Sequence, residues 1–82
     1  MLCNGGITMT NEYTNKVNFV NELGRLLNIY TNHRTGVVEL IYNNNNGYET
    51  VEIVFDNGNT RTINVTYDSE LAIMNDVYHA LI

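Results

Sequence analysis

The stretch 36–67 does most to limit how this chain folds. Three runs in it alternate in polarity with a period of two, and Asn-Gly pairs separate them. Val38, Leu40 and Tyr42 alternate with Val37, Glu39 and Ile41, and Val51, Ile53 and Phe55 alternate with Thr50, Glu52 and Val54. In the third run Ile63, Val65 and Tyr67 alternate with Thr62, Asn64 and Thr66. A two-residue period sends successive side chains to opposite sides of a strand. Three such strands in succession predict an antiparallel meander, with one face left for other elements to cover.

Helical patterns on both sides supply the cover. Over 13–28, Tyr13, Val17, Val20, Gly24 and Leu27 fall in one row at 100° per residue, and Phe19, Leu23, Leu26 and Tyr30 form the adjacent row. Gly24 lies inside the apolar face, where the lack of a side chain lets helix and strand approach closely. Residues 31–35 read as a connection that exposes His33 and Arg34. At the other end, Asp68-Ser69-Glu70 reads as a helix start, with Asp68 as its cap and acids at the positive end of the dipole. Leu71, Ile73, Met74, Val77, Tyr78, Leu81 and Ile82 then form a broad apolar arc that calls for a docking surface. The expected fold class is α+β, a two-layer α/β sandwich of order α-β-β-β-α, whose three-stranded antiparallel meander is covered on one face by two helices. Residues 1–12, with Gly5-Gly6 and little periodicity, read as a flexible N-terminal tail, and 13–82 as a single domain. Met9 is an alternative start to Met1, and Ile7 to Met9 an alternative short edge strand.

Strand register follows from parity, because directly opposed residues share a face. Joining the even-numbered face of the first strand to the odd-numbered face of the second calls for a four-residue loop, Asn44-Asn45-Asn46-Gly47. That loop sets Leu40 opposite Val51, Val38 opposite Ile53, and Glu39 opposite Glu52. The second hairpin must pair odd with odd, which a two-residue Asn57-Gly58 turn does not do. A three-residue loop does: Asp56-Asn57-Gly58 with a left-handed Gly58, or alternatively Asn57 to Asn59.

Composition narrows the function classes. The net charge is −5, and the basic residues are Lys16, Arg25, Arg34 and Arg61. Four scattered cations make no cluster for phosphates, so direct nucleic-acid binding is not expected. An acidic surface favours basic partners. Cys3 is the sole cysteine, so no internal disulfide can form. No apolar run reaches the roughly twenty residues that span a bilayer, and no signal-peptide pattern precedes the first helix. A cytoplasmic, membrane-free protein is the expectation. Ser69 has no histidine in sequence context, His33 and His79 lie far apart, and no metal-ligand spacing or phosphate loop is present. No catalytic residues, metal or cofactor are therefore assigned.

The segment Asn64-Val65-Thr66-Tyr67-Asp68-Ser69 running into Leu71-Ala72-Ile73 looks like the strand-to-helix junction of small proteins encoded by phages and mobile elements of low-GC bacteria. In element order, size and acidity, 13–82 is similar to some type II-A anti-CRISPR proteins. The resemblance implies a DNA mimic whose acidic surface occupies the DNA-binding site of an effector nuclease. No signature motif carries any residue over from that family.

The residues themselves direct attention to the sheet face turned away from the helices. Glu39 and Glu52, flanked by Val37, Ile41 and Val54, would meet a basic and partly apolar partner there, with Glu49 and Asp56 adding carboxylates for Arg and Lys. The plain alternative is a charged face that keeps a small sheet soluble. Two further readings remain open. One is a structural or regulatory homodimer or higher homo-oligomer that uses the outer sheet face or Leu81-Ile82. The other is a nucleotide sponge, which the scarcity of cations disfavours.

Overall fold

A computed structural model describes residues 7–82, with side chains described from residue 14 onward. The expectations for Cys3 and Gly5-Gly6 lie outside the described residues. Helix α1 (Ile7–Thr35) leads into strands β1 (Val37–Asn45), β2 (Tyr48–Phe55) and β3 (Thr60–Asn64), and helix α2 (Glu70–Leu81) follows. The sheet order is β1-β2-β3, antiparallel throughout. The fold is the expected α+β meander with both helices packed against it. No helix among the described residues is long and apolar enough to cross a membrane.

α1 extends past the expected 13–28 at both ends, and it takes in residues 7–12 of the expected tail and the proposed edge strand. At its C-terminal end the threonine hydroxyls are satisfied within the helix. Thr31 Oγ1 donates to Leu27 O (2.7 Å) and Thr35 Oγ1 to Thr31 O (3.1 Å), so these hydroxyls bond back along the helix. His33 and Arg34 occupy the last turn, where positive charge suits the dipole. They are exposed, but they belong to the helix and not to a loop.

The end of α1 also dictates how β1 begins. Asn32 Nδ2 donates to Val37 O (3.0 Å), and Val37 N–H donates to Thr35 Oγ1 (3.2 Å). Val37 is thereby held opposite Phe55, while Glu39 is opposite Val54, and Val38 is the extra residue of a β-bulge. The bulge reverses the parity of the strand start. Val37 is fully buried in the core, and Val38, expected there, is only half-buried. Assigning Val37 to the outer face is therefore corrected.

The first hairpin is tighter than parity alone required. Asn45 pairs with Tyr48, leaving a two-residue Asn46-Gly47 turn, with φ of 56° and 91°. Two successive positive φ values are the requirement of a type I′ turn, whose twist matches the strands. This loop is two residues shorter than the expected one and preserves the faces but slides the register: Leu40 faces Ile53 and Tyr42 faces Val51. The second hairpin follows the first of the two expected loops. Phe55 N–H donates to Asn59 O (2.9 Å), closing Asp56-Asn57-Gly58 with Gly58 at φ 89°, and Val51 faces Ile63.

The core consists of Val20, Val37, Leu40, Tyr42, Val51, Ile53, Val65, Ile73 and Val77, with Val17, Phe19, Leu23, Leu27 and Leu81 packed around it. Leu26 and Tyr30, expected in the same apolar row as Phe19, are exposed. Helix α1 lies so close to β1 that a Cβ on Gly24 would stand 2.8 Å from the Leu40 backbone nitrogen. Alanine at this position gains about 1 kcal/mol of helix propensity, but overpacking costs about 1–3 kcal/mol. The neighbouring atom is backbone and cannot rotate away. Gly24→Ala should therefore lower stability by up to about 2 kcal/mol in chemical denaturation, and a raised midpoint would show that helix and sheet separate freely.

Candidate functional site

Glu49 is the clearest departure from the expected site. Its odd number places it on the covered face with Val51 and Ile53, and it is buried. Lys16 Nζ of α1 reaches its Oε1 at 2.7 Å, and the Tyr42 hydroxyl donates to the same oxygen at 2.7 Å. Oε2 accepts the Tyr67 N–H at 2.9 Å. The backbone joins in: Glu49 N–H donates to Thr66 Oγ1, and Val65 N–H donates to Glu49 O, both at 2.9 Å. Burial pushes the carboxyl upward, but the bonds from Lys16, Tyr42 and the Tyr67 backbone outweigh it and hold its pKa below the ordinary value. A carboxylate so fully engaged is not available to a partner, so the expected partner-binding role for Glu49 is corrected.

The price of the Tyr67 bond is backbone strain. Tyr67 adopts φ 68°, a left-handed conformation that costs a residue other than glycine roughly 1–2 kcal/mol. β3 ends at Asn64, and the Tyr67 side chain, expected on the covered face, is 93% exposed.

The following residues also differ from expectation. Ser69, not Asp68, caps α2, its side chain accepting from Ala72 N–H at 3.1 Å. Asp68 instead meets Asp76 carboxyl to carboxyl, and its Oδ2 is buried without a donor among the described residues. A hydrogen bond between two carboxyls requires a proton on one of them. That bond, then burial, then the negative charges of Asp76 and Glu49 raise the Asp68 pKa to about 6. Among the described residues no three His, Cys, Asp or Glu side chains are grouped to hold a metal.

The outer sheet face retains part of the expected constellation. Glu39 and Ile41 of β1, with Glu52 and Val54 of β2, lie on the side away from the core. The register opposes Glu39 to Val54 and Ile41 to Glu52. The expected Glu39–Glu52 opposition is thus replaced by a diagonal relation, with side chains about 7–8 Å apart, where like-charge repulsion is weaker. Asp56 is exposed in the β2–β3 loop, and its N–H donates to Gly36 O at 2.8 Å. Arg61 is on the covered side and donates to Ala80 O at 2.9 Å, near the end of α2. The face therefore keeps Glu39, Glu52, Ile41 and Val54, with Asp56 at its end.

A second surface was hidden within the apolar arc of α2. Ile73 and Val77 face the core, whereas Leu71, Met74 and Tyr78 line an exposed apolar groove with Ser69, Ala72 and Asn75. Leu81 packs on the core, but Ile82 is exposed. The helix is apolar on two faces, and the sheet needs only one. The periodicity contained this signal, because the arc is wider than one packed face.

Two measurements check the buried groups. Lys16→Met leaves Glu49 without its cation and should cost about 2–3 kcal/mol in denaturant unfolding, and a neutral result would remove the ion pair from the fold's support. Asp68 has a folded pKa above its ordinary 3.8, so its contribution is full below that value and lost as pH rises through about 6. Glu49 has the opposite sign: its contribution is present above its ordinary 4.5 and lost as pH falls through the lower folded value. Asp68→Asn should therefore gain stability over the parent as pH rises from about 4 to 6. Parallel stability curves in the two proteins would contradict the raised pKa.

Comparison with known proteins adds no name to these surfaces, since no family model, curated protein or solved structure matches the chain.

Proposed function

We propose that this chain is a non-catalytic protein-binding module whose outer sheet face is directed at a basic partner. The observation that carries the reading is the arrangement of Glu39, Ile41, Glu52 and Val54, in which each carboxylate has an aliphatic side chain directly opposite. Carboxylates set among apolar groups suit Arg and Lys, whose charged heads pair while their stems lie on the aliphatic surface. The net charge of −5 adds long-range attraction for a basic protein. The narrower form of the proposal is inhibition: the face occupies the nucleic-acid-binding site of a host effector nuclease, as a phage-type, anti-CRISPR-like protein would.

The test is capture of basic proteins from host extract at moderate salt, with duplex DNA as competitor. The parent protein should retain a nucleic-acid-handling protein, and DNA should displace it. Glu39→Lys/Glu52→Lys should lose capture by more than about tenfold while melting like the parent, because both side chains lie outside the core. Undiminished capture by the double variant would remove this face from function, and capture indifferent to DNA would remove the inhibitor reading.

A further inference from the structure

We infer that the outward face of α2 pairs with the same face of a second copy of this chain, the two helices running antiparallel. The inference is independent of the outer sheet face and rests on the residues of the α2 stripe. Leu71, Asn75 and Tyr78 of α2 and the capping residue Ile82 follow one another at spacings of four, three and four. That alternation is the seam of a helix pair. Leu71, Tyr78 and Ile82 are 69%, 59% and 83% exposed, and Met74 beside them is 40% exposed.

Three features select a second copy as the occupant. The first is self-complementarity. In an antiparallel two-fold pairing centred between Asp76 and Val77, Leu71 meets Ile82 of the other copy and Asn75 meets Tyr78. Apolar side chains then face apolar ones, and the Asn75 amide faces the Tyr78 hydroxyl, as an isologous contact requires. An asparagine at one seam position is a known device for setting the register of paired helices.

The second feature is charge. The seam and its flanking residues Ala72, Met74, His79 and Leu81 carry no acidic side chain, although the chain is strongly acidic. Two copies can therefore meet there without opposing like-charged side chains, whereas a basic partner would find no acidic side chain to pair with. The third feature is area. The four exposed side chains offer roughly 500 Å² per copy, most of the ~800 Å² per partner of a standard interface once a polar rim is added. Tyr78 is also partly positioned in advance. Its ring meets that of His79 edge-on at 5.6 Å, and His79 Nδ1 bonds Asn75 O at 2.9 Å.

Sedimentation equilibrium through the micromolar range tests the pairing. The parent should approach twice the 9.3 kDa chain mass with rising concentration. Leu71→Lys and Ile82→Glu, each on an exposed position, should separately weaken association by more than about tenfold. The double variant Leu71→Lys/Ile82→Glu should recover much of it, because antiparallel pairing places each lysine opposite a glutamate. Circular dichroism should show all variants folded. A parent that stays monomeric overturns the inference and leaves the stripe to a different protein. Association unmoved by either single change places the contact elsewhere, and a double variant no better than the singles overturns the antiparallel arrangement.

Discussion

The Glu49 carboxylate on β2 ties α1 and β1 to the segment that joins β3 to α2. A buried charge is tolerated only where pairing and hydrogen bonds replace its water. Lys16 comes from α1, Tyr42 from β1 and the Tyr67 N–H from the segment that leads into α2, while Glu49 itself is on β2. Its backbone groups add Thr66 and Val65 beyond the end of β3. The apolar core supplies most of the driving force, but such contacts are non-directional. Glu49 gives the packing an orientation: removing Lys16 leaves the charge unpaired, and removing either neutral donor leaves it short of a hydrogen bond.

The same polar centre explains the strain around it. Tyr67 occupies a left-handed conformation so that its N–H points at Glu49, and its ring is thereby turned outward. Asp68 follows directly and faces Asp76 across the start of α2. Glu49 and Asp68 thus carry pKa shifts of opposite sign within one neighbourhood. The acid with donors is stabilised in its charged form, and the acid beside another acid is stabilised in its neutral form.

Two surfaces remain after the core and this centre are accounted for. One is the outer sheet face, mixed acidic and aliphatic. The other is the outward side of α2, uncharged and largely apolar. They differ in the partner each suits, which is why a basic target and a second copy are separate proposals.

Alternation in the three runs, the wide apolar face of 13–28 and the acid-rich start of α2 were enough to specify the α-β-β-β-α order. They also specified which odd-numbered residues of β2 and β3 share a face, and the close approach at Gly24. These follow from local periodicity and chain connectivity, which need no knowledge of neighbours. Even the burial of Glu49 was implicit in its parity with Val51 and Ile53, although carboxylates are ordinarily read as exposed. The bulge at Val38 was not legible, because it depends on Asn32 and Thr35 of α1 gripping Val37. The register slide was hidden as well: a two-residue and a four-residue loop satisfy the same parity, and only the tertiary fit chose between them. Nor could the arc of α2 say which of its apolar side chains would be left in solvent. The sequence determined the elements and their faces, because periodicity is a property of a single segment. The tertiary structure decided which charges are buried and which apolar groups are exposed, because those depend on what each face meets.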